Sequence, residues 1–133
     1  MTIIAWDEKY RTGYLDVDKQ HQELFRMVNE LHEAIVAGKG KELMIKTLDG
    51  LAKYVVTHFA VEEKLMIEKK YPGFAEHKAK HDKLKVDAVD MIEKYKSGKL
   101  ALSITVSRFL GDWIQTHILV EDLKMIRFVQ SVK

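Results

Sequence analysis

The sequence predicts an all-α protein: an antiparallel up-down-up-down four-helix bundle with an extended N-terminal arm and a short C-terminal helix. Three observations carry this. One proline and seven glycines in 133 residues leave little material for a turn-rich β fold. The breaks fall at Gly38-Lys39-Gly40, Tyr71-Pro72-Gly73 and Ser97-Gly98-Lys99, so the chain beyond its arm divides into four stretches, each longer than an average helix. Every stretch also repeats apolar residues at intervals of three and four, the period of one helix face.

Taken in order, residues 1–17 read as extended or irregular. The first helical stripe is His21, Leu24, Val28, Leu31 and Ile35, with Asp18 placed to cap the helix start. The second is Leu48, Leu51, Val55, His58, Glu62 and Leu65. The third is His77, His81, Leu84, Ala88, Met91 and Tyr95. The fourth is Val106, Phe109, Leu110, Trp113 and His117, followed by Asp122 and a short tail. Short connections between long helices favour antiparallel neighbours, which gives the up-down-up-down order.

Residues 1–133 are expected to form one domain, a common domain length. The balance of 47% hydrophobic and 32% charged residues is that of an ordinary soluble globule with a core of useful size. The absence of cysteine excludes disulfides, iron–sulfur clusters, thiolate zinc sites and cysteine nucleophiles. Basic and acidic residues, 22 against 20, are intermixed along the chain. Nucleic-acid binding would need clustered positive charge and is not expected. No apolar run reaches the ~20 residues of a membrane span, and the N-terminus lacks a signal-peptide pattern. A cytoplasmic monomer is the expectation.

The chemistry lies in the histidines. Five of the six, His21, His58, His77, His81 and His117, fall on the apolar stripes, and so does Glu62. Burying such groups without partners costs several kcal/mol each, of order 2–7 for a neutral polar group and more for a carboxylate. A metal would satisfy them. His58 and Glu62, and His77 and His81, are i,i+4 pairs that share a helix face about 6 Å apart. Either pair alone is weak evidence.

Their heights along the bundle are stronger evidence. His21 lies 18 residues before Lys39 and His58 lies 19 after it. His77 and His81 lie 21 and 17 before Gly98, and His117 lies 19 after it. In antiparallel hairpins all five reach one level, ~28 Å from the turns at 1.5 Å per residue. Asp122, five residues after His117, would be about 140° off that face on a regular helix. If it ligates, the helix must loosen or end between them. Nitrogen and oxygen donors without sulfur suit iron, manganese, zinc or copper. Seven ligands fit two ions bridged by the carboxylates better than one ion. If three histidines hold one six-coordinate ion and two hold the other, the second keeps an open position. His32 lies 11 residues beyond His21, ~16 Å along the axis, and reads as a core or surface histidine outside the site.

These motifs resemble one family. Trp6 in the arm, Val17-Asp18-x-x-His21-Gln22-x-Leu24-Phe25, His58-Phe59-x-x-Glu62-Glu63, His77-x-x-x-His81 and His117-x-x-x-x-Asp122 together match the hemerythrins, and among them the single-domain bacteriohemerythrins. The resemblance covers nearly the whole chain. It implies two oxo- or hydroxo-bridged iron ions, with His77, His81 and His117 on the saturated one. His21 and His58 would hold the iron with the vacancy, and Glu62 and Asp122 would bridge. It further implies reversible binding of dioxygen in an apolar pocket, where Trp113, Phe25, Phe59, Ile118 and Leu119 are placed; each also suits ordinary core packing. The expected role is oxygen transport, storage or delivery to an oxygen-consuming enzyme. A sensor acting through a separate partner, or a di-iron peroxidase or iron-handling protein, are the alternatives. Carboxylate-rich oxygen-activating sites use Glu-x-x-His pairs, which this chain lacks, so an enzyme is disfavoured.

Overall fold

A computed structural model describes residues 3–101 and 103–132. After a short 3₁₀ turn at Glu8–Tyr10, the chain forms α1 (Leu15–Val36), α2 (Lys41–Glu68), α3 (Phe74–Lys96), α4 (Ile104–His117), a π-helical turn (Ile118–Asp122) and α5 (Leu123–Ser131). No strand occurs among the described residues, and no helix is long and apolar enough to cross a membrane. The four long helices form the bundle, and α5 continues α4 beyond the π turn. α1 packs against both α2 and α4, and α2 packs against α3; the remaining seam, between α3 and α4, is the loosest of the four.

Local chemistry explains each boundary. α1 and α3 end in the same way, with Gly38 (φ 65°) and Gly98 (φ 80°) in the left-handed region. The N–H of Lys39 bonds the Ala34 carbonyl at 3.1 Å and the N–H of Lys99 bonds that of Lys94 at 2.8 Å, which closes the last helical turn. α2 uses the same closure, Tyr71 N–H to Met66 O at 2.9 Å, but with Lys70 at φ 55° in the glycine position. Tyr71 is thereby turned into the core beside Met66.

α1 begins one turn earlier than the sequence predicts, at Leu15, and Tyr14 is its N-cap residue. Asp18 does not cap the helix from its first position. Its buried carboxylate reaches back and accepts hydrogen bonds from Thr12 N–H (2.8 Å), Thr12 Oγ1 (2.7 Å) and Gly13 N–H (3.0 Å), tying the arm to α1. On α4 the buried face is Ser107, Leu110, Gly111, Ile114 and His117. Phe109, placed on that face by its hydrophobicity, is 45% exposed. Ser107 takes the position because it is bonded to His32, with Oγ 2.9 Å from Nδ1.

Two apolar clusters fill the bundle. One holds Leu24, Phe25, Val28, Leu51, Val55, Phe59, Leu84, Ile114 and Ile118 among others and runs toward the Gly38 and Gly98 turns. The smaller one holds Val17, Leu65, Met66, Tyr71, Met125, Ile126 and Val129. On α1, α2 and the α4–α5 rod, the residues between these clusters are His21, His58 with Glu62, and His117 with Asp122. A polar layer therefore crosses the core at one level.

Candidate metal centre

α1 contributes His21 to this layer, and α2 contributes His58 and Glu62. α3 contributes His77 and His81, and the α4–π segment His117 and Asp122. All seven are buried. Oxygens of Glu62 approach the Nε2 atoms of His58 (3.0 Å), His21 (3.2 Å), His81 (3.2 Å) and His77 (3.5 Å). Oxygens of Asp122 approach those of His21 (3.0 Å), His77 (3.0 Å) and His117 (3.1 Å). His81 and His117 bring their Nε2 atoms within 3.0 Å of each other.

The spacing of His117 and Asp122 is resolved by the π turn. Leu123 N–H bonds the Ile118 carbonyl, an i→i−5 bond that adds a residue to the turn. Residues five apart are thereby brought toward one face, the loosening that the sequence demands if Asp122 is to join the site.

A hydrogen-bonded network does not account for the cluster. His21 Nδ1, both ring nitrogens of His77, Glu62 Oε1 and both Asp122 oxygens are buried without a hydrogen-bond partner. His77 Nε2 and Asp122 Oδ1 are 3.0 Å apart yet not aligned as donor and acceptor. Native interiors rarely leave so many buried groups unpaired. Lone pairs converging on a common point are what a cation requires, so the residues fit a metal.

The donors sort into two sets. Glu62, His77, His81, His117 and Asp122 place one donor atom each within 4.8 Å of one another, as do His21, His58, Glu62 and Asp122. Both carboxylates belong to both sets, with three histidines on one side and two on the other.

Without a cation, the electrostatics are those of a tight ion cluster. Burial opposes charge on His21, but the Asp122 and Glu62 carboxylates close beside its ring outweigh it and hold the ring up to about 10. The same opposition leaves His77 at about 9. Burial also opposes charge on Glu62, yet His58, His21 and His77 hold it well below the ordinary carboxylate range. Asp122 is likewise depressed, because His117 and His21 overcome burial and the charge of Glu62.

A small cavity of about 10 Å³ abuts the cluster, walled by Leu24, Val55, Phe59, Leu84, Trp113, Ile114 and Ile118, and bordered by His21, His58, His117 and Asp122. Phe59 stacks on His81, with centroids 3.7 Å apart and planes 2° from parallel, and Trp113 stacks on His117 (4.5 Å, 12°). Phe59, Trp113 and Ile118 line this cavity. Phe25 does not line this cavity; it packs edge-on against Trp6 and Tyr10 of the arm, at 5.4 and 5.0 Å. Leu119 is 38% exposed and points away, because the π turn directs Ile118 inward instead. His32 is buried outside the site.

The sequence reading gives no role to two polar neighbours. Gln20 Oε1 lies 2.6 Å from His58 Nδ1, and Glu63 Oε2 lies 2.9 Å from His81 Nδ1. Each is adjacent in sequence to a site residue, His21 and Glu62 respectively; Glu63 also stands in the His58-Phe59-x-x-Glu62-Glu63 motif, whereas adjacency is the signal for Gln20.

The comparisons with known proteins agree with this geometry. The family model described as "Hemerythrin HHE cation binding domain" matches residues 12–129. A bacteriohemerythrin of Methylococcus capsulatus (strain ATCC 33009 / NCIMB 11132 / Bath) is 39% identical over 119 residues, covering 89% of this chain and 90% of that protein. A myohemerythrin of Riftia pachyptila is 29% identical over 120 residues, covering 90% and 88%. Among solved structures, a wild-type hemerythrin superposes with a TM-score of 0.91 at 35% identity, covering 96% of this chain and 98% of its own. With most of its length matched by the family model and by these relatives, the chain belongs to the hemerythrin family.

Proposed function

We propose that this chain, acting as one domain, binds dioxygen reversibly at a pair of iron ions, for oxygen transport, storage or delivery. The observation that carries the reading is the unequal division of histidines between two donor sets that share Glu62 and Asp122. His77, His81 and His117 would hold one iron, and His21 and His58 the other, with the two carboxylates spanning both. The iron pair, when bound, supplies the electrons for reversible oxygen binding.

The chain's own residues do the rest. Neutral Nε2 atoms from five histidines point inward, and two carboxylates offset the charge of the cations. The two-histidine position has one protein donor fewer, and it borders the small cavity. A space of about 10 Å³ is close to the least that holds one water-sized molecule. Leu24, Val55, Phe59, Leu84, Ile114 and Ile118 wall that space with apolar groups and exclude bulk water, which limits proton delivery and side reactions there. The Phe59 and Trp113 stacks fix the rings of His81 and His117.

Iron content per chain, with visible spectra under argon, under air and again under argon, tests this. Two irons and a colour that appears with air and vanishes on deoxygenation are expected. A colour change that does not reverse would replace binding with oxidation chemistry, and a chain without iron would remove the function proposed.

A further inference from the structure

The outer nitrogens of the site histidines are not treated alike. His81 Nδ1 faces the Glu63 carboxylate at 2.9 Å, and Glu63 has the Lys85 ammonium 3.9 Å away. His58 Nδ1 faces the neutral amide oxygen of Gln20 at 2.6 Å. The Nδ1 atoms of His21 and His77 are buried without a partner. Each donor set therefore contains one histidine whose ring is fixed from outside by a side chain. Both partners are acceptors, so both place the N–H on Nδ1 and turn the Nε2 lone pair toward the centre.

Their charges differ, and that has a chemical consequence. A carboxylate accepting the Nδ1 proton makes a stronger, charge-assisted hydrogen bond than an amide does, and it enriches the opposite nitrogen in electron density. The ring stacks fall on the same side. Phe59 lies flat on His81 and Trp113 on His117, whereas His21 and His58 meet edge to face at 4.8 Å and 75°. The three-histidine set thus holds the carboxylate-backed ring, His81, and both stacked rings, His81 and His117.

We propose that Glu63 and Gln20 are positioning residues that make the two metal positions unequal. The carboxylate-backed three-histidine position binds its ion more tightly and fills first; the amide-backed two-histidine position is the weaker and fills second. This rests on the two-metal reading above.

Titration of the metal-free chain with Co²⁺ under argon, followed by its visible bands, tests the proposal with a metal that needs no oxygen chemistry. Wild-type protein is expected to bind two Co²⁺ in two resolved steps, and His58→Ala to abolish the second. Glu63→Gln keeps shape and acceptor but removes charge. It is expected to weaken the first step about 10–100-fold and leave the second in place. Gln20→Glu is expected to strengthen the second step and bring the two closer. Circular dichroism of the metal-free variants, unchanged from wild type, separates this from loss of fold. If Glu63→Gln shifts both steps equally or neither, or Gln20→Glu leaves the second step unmoved, the assignment of these residues is wrong. Wild-type chain that takes up fewer than two Co²⁺ overturns the two-metal reading itself, before any variant is made.

Discussion

His117 and Asp122 stand five residues apart, yet His117 Nε2 and Asp122 Oδ1 lie 3.1 Å from each other because the π turn between them carries one residue too many for an α-helix. Asp122 faces histidines from three segments of the bundle through its two oxygens. Asp122→Ala removes both oxygens from both donor sets. The expected result is less than one iron retained per chain, measured by metal analysis after desalting.

Loading the site must displace protons. In the metal-free chain His21 is held up to about 10 and His77 to about 9, so both carry a proton at pH 7. Ligating nitrogens must be free of it, so metal uptake releases about one proton from each ring. Calorimetric titration at pH 7 in two buffers of different ionisation enthalpy measures this directly. Apparent affinity is expected to rise with pH until both rings titrate.

Without metal, the same groups set a stability optimum. Glu62 and Asp122 are depressed, so their contribution is present above the ordinary carboxylate range and is lost as pH falls through their lowered values. His21 and His77 are raised, so theirs is complete below 6.5 and is lost as pH rises through about 9 to 10. Thermal melts of the metal-free chain are expected to peak between about pH 4.5 and 6.5. Metal-loaded chain is expected to lose stability through that same acidic range, as protons compete for its ligands.

Lys70 occupies a left-handed position that Gly38 and Gly98 fill elsewhere. A side chain there costs ~1–2 kcal/mol, offset in part by the greater unfolded-state freedom of glycine. Lys70→Gly is expected to stabilise the chain by about 0.5–1 kcal/mol, a rise of a few degrees in Tm, with iron content unchanged.

The His32–Ser107 pair gives the complementary case. Both are buried, with Nδ1 and Oγ 2.9 Å apart, and the pair lies well along α1 from His21. Ser107→Ala strands a buried ring nitrogen and is expected to cost about 1–3 kcal/mol in denaturant melts, again with normal metal uptake.

The helices and the donor layer were legible in the sequence for one reason: both are periodic. Breakers at Gly38 and Gly98 fixed the heights, and histidines on apolar stripes marked the layer. What followed hydrophobicity without hydrogen bonding went astray. Phe109 outranks Ser107 on any apolar scale, but Ser107 has a buried partner on α1 and Phe109 has none. Phe25 is apolar and near His21 in sequence, yet the arm's Trp6 and Tyr10 claim it. The roles of Gln20 and Glu63 were not legible because outer contacts join residues 38 and 18 positions apart and follow no period.

The α3–α4 seam has a consequence for how the whole rod holds together. On three sides of the bundle the helix backbones approach closely, and on the fourth α3 and α4 stand farther apart, joined by Leu84 and Ile92 with Leu110 and Ile114 in the core. His77 and His81 stand on one bank of that gap and His117 on the other. An ion held among them would act as a rivet, fastening the side where the two backbones stand farthest apart. Amides of α3 and α4 near the rivet should then exchange with solvent far more slowly in loaded chain than in stripped chain, while those along the α1–α2 seam change little. Loss of metal would register first as a bundle that opens along one edge.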